Sequence, residues 1–438
     1  IDLVSGSSYG ESVWRVAACT NHRRHAAFHL LRRNLVNYQR VGGGPASKYR
    51  PSITMKRSKS SSALCSQGGL IIAGGGTAGH LLPGLAVAGE LVKRGWNKKA
   101  IGFVGSARGI EVGMVPAAGY ELRALSGRGL NGRRVSIQNF WNLLTIIWGV
   151  LRGILIVARH RPGIVLSLGG YAALPAALGA VVLRIPLVLA EQNLVASGVN
   201  RLLTRYARAA AVPHFGTGLK NEVRTGNPVR ESVIEAHELG RSNRVELKWP
   251  TEEPIVVVFG GSLGSRRINE ALWDAAEISD LPTVHHVVGK RDWQMLPKSL
   301  PRTIRAIEYD EELPKAMAAA DLIVCRPGGS TVAEIALLGV PAILIPLPHA
   351  PNDHQRRNAE WLVDSGLAIV VADEELDGIR LSTEINMMLD KIQREDDPEL
   401  ARQERSIGPR DATQRVADLV VNHCLTPVPT DDRKDGTL

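Results

Sequence analysis

The chain has 438 residues, 44% hydrophobic content and a net charge of +10, which predicts two or three globular domains with enough apolar material for sizeable cores. Its four cysteines (Cys19, Cys65, Cys325, Cys424) are far apart and form no CxxC pair. That pattern argues against a disulfide framework or a structural zinc site and fits a reducing compartment. The charge is segregated: residues 1–67 hold 11 Lys/Arg against two acids, residues 68–226 hold 18 against five, and residues 227–438 hold 24 against 36. A basic half calls for an anionic partner (nucleic acid, an anionic membrane or a phosphorylated substrate) or for attraction to the acidic half across a cleft.

Residues 1–67 are rich in Arg and Ser, poor in acids and without a long apolar run. They read as an extension, either an organellar transit peptide or an artefact, with Met55 as an alternative start. From Gly69 the pattern changes. Leu70-Ile71-Ile72-Ala73 predicts a buried strand, Gly74 to His80 a glycine turn, and Leu81 to Arg94 a helix. The unit recurs at Ile164–Leu168 before Gly169-Gly170-Tyr171, and at Leu187–Ala190 before Glu191-Gln192-Asn193. It recurs again at Ile255–Phe259 before Gly260–Ser265, at Leu322–Cys325 before Arg326–Thr331, and at Ala342–Pro346 before a polar loop at His349–Gln355. Short apolar strands alternating with helices predict parallel α/β sheets. Two such series, each opening on a glycine loop, predict two Rossmann-like domains facing a cleft. We place the N-terminal domain at 68–234, a polar linker at 235–253, the C-terminal domain at 254–408, a helix packing back on the N-terminal domain at 409–425, and a tail at 426–438.

A glycine turn feeding a helix offers free N–H groups and the positive end of the helix dipole to a phosphate. Gly74–Gly79 is neither a dinucleotide fingerprint nor a P-loop, but several such loops in two domains point to a diphosphate ligand. Gly75-Gly76-Thr77-Ala78-Gly79-His80 followed by Pro83–Ala88 resembles the opening motif of the MurG family. Further matches follow in the family's order: Gly169-Gly170-Tyr171, Glu191-Gln192-Asn193, Gly226–Arg230, Gly260-Gly261-Ser262, Ala319-Ala320-Asp321, Cys325-Arg326, Thr331–Glu334, and Asp353-His354-Gln355 with Asn358-Ala359. The resemblance spans roughly 68–425. Ala78, Ala190 and Leu263 depart from it, as does Asp310–Leu313 where the family meets uracil with a more apolar stretch.

The resemblance implies a GT-B fold and an inverting transfer of N-acetylglucosamine from UDP-N-acetylglucosamine to lipid I, forming lipid II of peptidoglycan. It implies a donor held by the second domain. His80 is the candidate base, its imidazole suited to proton transfer near neutrality, and Glu191 the alternative base or orienting acid. Thr77, Ala78 and Gly79 of the same loop are expected to bind substrate. Asn193 is expected on the acetamido sugar, Arg230 on phosphate, and Ser262 with the helix start at Gly329, Ser330, Thr331, Val332 and Ala333 on the diphosphate. Glu334 is expected on the ribose, Asp310 near the base, and His354 and Gln355 on the donor sugar. No cofactor, essential metal or nucleic-acid partner is expected.

Ile137 to Val157 is largely apolar, with Trp148 inside it and arginines around it. Gln138, Asn139, Asn142 and Arg152 argue against spanning a membrane. The stretch reads as an interfacial surface facing anionic lipid or as a core helix. Localisation is therefore expected to be peripheral, on the cytoplasmic face of a bacterial inner membrane, or in the plastid stroma if the extension is a transit peptide. The alternatives are a plastid galactolipid-type UDP-sugar synthase, a dinucleotide-dependent oxidoreductase and a catalytically silent lipid-binding paralogue.

Overall fold

The computed structural model describes residues 69–125, 137–261 and 263–425, with the backbone alone for 137–146 and Pro398. The expected extension at 1–67 and tail at 426–438 lie outside the described residues. In chain order the first region runs β1 (Leu70–Ala73), α1 (Ala78–Lys93), β2 (Ile101–Ser106), α2 (Glu111–Ala117), β3 (Glu121–Leu125), α3 (Ile137–His160), β4 (Ile164–Ser167), α4 (Leu174–Val182), β5 (Leu187–Ala190), α5 (Gly198–Leu203), β6 (Ala209–Val212) and β7 (Glu222–Arg224). The second runs α6 (Glu231–Leu239), α7 (Asn243–Leu247), β8 (Ile255–Phe259), α8 (Arg266–Ile278), β9 (Thr283–Val287), β10 (Ile304–Ile307), α9 (Leu313–Ala319), β11 (Leu322–Cys325), α10 (Gly329–Leu338), β12 (Ala342–Leu344), α11 (His354–Asp364), β13 (Ala368–Val370), α12 (Gly378–Gln393), α13 (Pro398–Arg405) and α14 (Ala412–His423).

The strands form two all-parallel sheets, β3-β2-β1-β4-β5-β6-β7 and β10-β9-β8-β11-β12-β13. Both wind outward from a central pair and reverse there, so the two domains share one topology. The central strands are apolar on both faces because helices cover both faces. Leu70 and Ile72 enter one core layer with Leu81, Leu91 and Leu166, while Ile71 and Ala73 enter the other with Val165 and Leu189. In the second sheet Val257 and Phe259 pack with Ala316 and Leu337, and Val256 and Val258 pack with Ile268 and Leu272. Each fully buried aliphatic side chain of this kind contributes about 1.5–3 kcal/mol, and it is the period-two alternation that assigns each residue to its layer.

The stretch expected as a polar linker, 235–253, carries helices in the structure. The chain leaves the first sheet after β7, and α6 is already part of the second domain: Val233 and Ala236 are buried in the core of Val257 and Met317. The polar residues that suggested a linker are satisfied internally. Arg244, 1% exposed, donates to Asp321 Oδ2 at 2.6 Å and to the Ala319 carbonyl at 2.9 Å, and Arg241 also pairs with Asp321. At the other end the chain returns: Val416, Ala417 and Val420 of α14 are buried in the first domain's core beside Leu70 and Val188.

Candidate active site

In doubly wound sheets, ligands bind outside the carboxyl ends of the strands where the winding reverses. In the first sheet that point lies between β1 and β4, and the loops leaving them carry Gly74–Thr77 and Leu168–Tyr171. In the second it lies between β8 and β11, and the loops carry Gly260–Ser265 and Arg326–Gly328. The glycine loops singled out from the sequence therefore occupy both switch points. They also meet. Ser330 Oγ, at the start of α10, donates to the Gly79 carbonyl at 2.9 Å. A side chain on Gly329 would strike the Gln192 carbonyl, so glycine lets α10 approach the first domain. Asn358 of α11 accepts from Leu194 N and donates to Asn193 Oδ1, both at 3.0 Å.

His80 stands in the first turn of α1, whose N-cap is Thr77. Its Nδ1 lies 3.0 Å from Thr77 Oγ1. Its Nε2 faces the second glycine loop, where a Cβ on Gly170 would sit 3.7 Å away. Burial of the ring lowers its pKa from the ordinary value; the carboxylates of Glu191 and Glu111 oppose that shift and His354 adds to it. The imidazole is thus held neutral near neutrality, the form that accepts a proton.

Glu191 is not arranged as a base. It is 3% exposed. Its Oε1 accepts from the amides of Gln192 and Asn193 and from Asn193 Nδ2, and its Oε2 from Ser197 N and Asn200 Nδ2. Five donors on two oxygens make it the organiser of this loop, the orienting alternative read from the sequence. Asn193, expected on the sugar, has its amide engaged by Glu191 and Asn358.

On the second domain, α10 divides the expected residues between two faces. Ser330 and Glu334 face the cleft side, where Arg230 pairs with Glu334 Oε1 at 3.0 Å. Gly329, Val332 and Ala333 line a cavity of about 300 Å³ beside Asn227 and Trp361, where both chain crossings pass. Val332 and Ala333 are buried, their side chains turned into the fold. Gly328 caps α10 without a side-chain acceptor, and the first turn has no acid. Its leading N–H groups, Thr331's included, form an anion-binding end.

Asp310 is the residue expected near the nucleobase. It lies beyond the edge strand β10 and accepts from His285 Nε2 and from Glu312 N, both at 2.8 Å. Its carboxylate is committed to the fold. Gln355 Oε1 accepts from Leu347 N and His354 Nδ1 donates to the Pro351 carbonyl, each at 2.8 Å, so both brace the loop after β12. Ser262 lies outside the described residues.

Residues 70–212 match the glycosyltransferase family 28 N-terminal domain and residues 255–418 match the glycosyltransferase family 28 C-terminal domain. The chain is 35% identical over 363 residues to the UDP-N-acetylglucosamine–N-acetylmuramyl-(pentapeptide) pyrophosphoryl-undecaprenol N-acetylglucosamine transferase of Anaeromyxobacter sp. (strain K), covering 80% of this chain and 91% of that one. It is 36% identical over 376 residues to the transferase of the same name from Ectopseudomonas mendocina (strain ymp), covering 81% and 98%. The chain belongs to the MurG family. The crystal structure of Acinetobacter baumannii MurG superposes with a TM-score of 0.62 at 26% identity, covering 81% of this chain and 99% of that one, and the fold is GT-B.

Three residues of this family member were given no role from sequence alone. Asn358 sits in a quoted motif, but its role needs the partner domain. Arg326, also in a quoted motif, donates to Ser265 Oγ and to the Ile345 and Pro346 carbonyls and pairs with Asp373, tying together the loops at the second switch point. Glu111 lies outside every quoted motif. Its one signal is an acid set among Gly105, Gly109 and Gly113 in a stretch where acids are scarce.

Proposed function

We propose that this chain transfers N-acetylglucosamine from UDP-N-acetylglucosamine to the C4 hydroxyl of the N-acetylmuramyl group of lipid I, with inversion, forming lipid II. The observation that carries the reading is the meeting of the two switch points, which sets the His80 loop against the start of α10. With Nδ1–H donating to Thr77 Oγ1, the Nε2 lone pair takes the proton of the acceptor hydroxyl. The hydroxyl oxygen then attacks the anomeric carbon, and its bond to the diphosphate breaks. The departing charge falls on the N–H groups of α10 and on Arg230. The relatives named above are N-acetylglucosamine transferases, which supports that donor over the galactolipid reading and over a nicotinamide enzyme.

The same reading makes the protein peripheral to an anionic membrane, without a nucleic-acid partner. On α3, Ile147, Trp148, Leu151 and Leu155 are all at least 48% exposed and recur at helical spacing, with Arg152, Arg159 and Arg161 exposed around them. The opposite face packs on α4, Gly153 against Pro175 and Val157 against Gly179. No helix among the described residues is long and apolar enough to cross a membrane. The stripe supports an interfacial role on the cytoplasmic face, beside a lipid-linked acceptor.

The test is transfer of labelled sugar to a lipid I analogue by the full chain. UDP-N-acetylglucosamine is expected to be used and UDP-galactose not. His80→Ala is expected to lower kcat by about 10²–10⁴-fold, the worth of a positioned base, with UDP affinity unchanged. Full transfer by His80→Ala removes the base assignment, and preference for UDP-galactose removes the donor.

A further inference from the structure

Glu111 is fully buried and has no salt bridge among the described residues. A buried carboxylate without a cation is costly unless hydrogen-bonded. Here the donors are backbone amides of two different loops. Gly76 N reaches Oε2 at 2.8 Å, and Ser106 N reaches Oε1 at 2.7 Å. Gly76 belongs to the loop that ends in Thr77 and His80, and Ser106 ends β2. Tyr171, from the glycine loop after β4, donates to Ser106 Oγ at 3.4 Å. One carboxylate therefore holds the β1 and β2 loops together, and Ser106 carries the link to the β4 loop.

The surroundings are built around it. A Cβ on Gly75 or on Gly109 would fall on the Glu111 carboxylate, and one on Gly105 would lie 2.9 Å from its Cγ. Glutamine has the same shape but presents one acceptor and one donor, so it would satisfy only one of the two amides. The charged and titratable groups facing His80 come from three elements: Glu111 from α2, Glu191 from the loop after β5 and His354 from α11.

We propose that Glu111 is a positioning residue for His80: its carboxylate fixes the peptide of Gly76 at the entry to α1, in the loop that ends in Thr77 and His80. This rests on the base assignment above and adds to it the group that keeps the base in place.

The test uses the full chain with ¹³C-labelled histidine, the His80 signal being assigned by its loss in His80→Asn. Glu111→Gln is expected to move the His80 titration to lower pH, as burial is then opposed by Glu191 alone. It is also expected to lower kcat by roughly 10–100-fold, part of what a positioned base supplies, with UDP affinity intact. Gly109→Ala pushes the carboxylate aside without removing it and should shift the titration in the same direction. It carries the test if Glu111→Gln loses UDP binding and hence its fold. A His80 titration that coincides with wild type in every variant that binds UDP overturns the proposal. Full activity of His80→Ala overturns the base assignment instead, and the titration, which needs no turnover, still reports on Glu111.

Discussion

Replacing Asn358 by alanine is expected to loosen the closed cleft. The side chain is 1% exposed and makes three bonds: from Leu194 N, to Asn193 Oδ1 and, at 3.2 Å, to the Pro327 carbonyl. The first two join one domain to the other. A neutral hydrogen bond has a net worth of about 0.5–1.5 kcal/mol, so the pair holds the closed form by about 2 kcal/mol. Losing it shifts the open-to-closed ratio by up to about 30-fold, and the apparent donor affinity falls with the closed fraction. The KM for UDP-N-acetylglucosamine should rise by up to that factor, kcat should change less, and small-angle scattering should show a larger radius of gyration. Asn358→Asp keeps the acceptor for Leu194 N but sets a carboxylate against Asn193 Oδ1, so it should be no milder. The reasoning fails if Asn358→Ala leaves KM within about twofold of wild type and the scattering curve unchanged.

Glutamate at Trp148 and Leu155 together should weaken binding to vesicles containing anionic lipid while transfer to a soluble acceptor analogue persists; equal vesicle binding would remove the membrane role of α3. Transfer should survive EDTA, because the proposed mechanism meets the diphosphate with α10 and Arg230 and needs no metal; abolition restored by a divalent ion would show otherwise. His286, buried and bonded to Asn269, is held down at about 3 chiefly by burial, with His285 adding to it. Below about pH 6.5 the unfolded chain takes up a proton there that the folded chain refuses, so stability is lost as pH falls toward 3, by about 2 kcal/mol at pH 5. Urea midpoints at pH 7.5 and 5.0 should differ less in His286→Gln than in wild type, and an identical difference would count against it.

The parts of this protein that were legible in the sequence are those whose physics is local. Leu70-Ile71-Ile72-Ala73 into Gly74–Gly76 can only be a buried strand turning into a helix, and the repeats of that unit fix two parallel sheets. The position of His80 in the first turn of α1 follows from the same pattern. What was not legible depends on contacts across the fold. Glu235 to Glu253 reads as solvated linker because Asp321, which receives Arg241 and Arg244, is far away in the chain. Asp310 looks available until His285 is brought beside it. Val332 and Ala333 share a motif with Glu334, but a helix turns them to another side, and the motif alone does not say which face meets the ligand. Asn193 and Glu191 are near neighbours in sequence and bond each other, so their availability for substrate cannot be read from adjacency.

The return of α14 to the first domain has a consequence for biogenesis. Topologically the second domain is an insertion, spelled out between β7 and α14 while the first domain still lacks a piece of its interior. On a ribosome adding about 5–20 residues per second, the roughly 190 intervening residues take about 10–40 seconds to make. During that time the apolar surface around Leu70, Ile72 and Val188 awaits Val416, Ala417 and Val420. The inserted domain has its whole core in hand first, so the later-synthesised half is the one free to fold first, and the first domain's core is sealed only when α14 emerges.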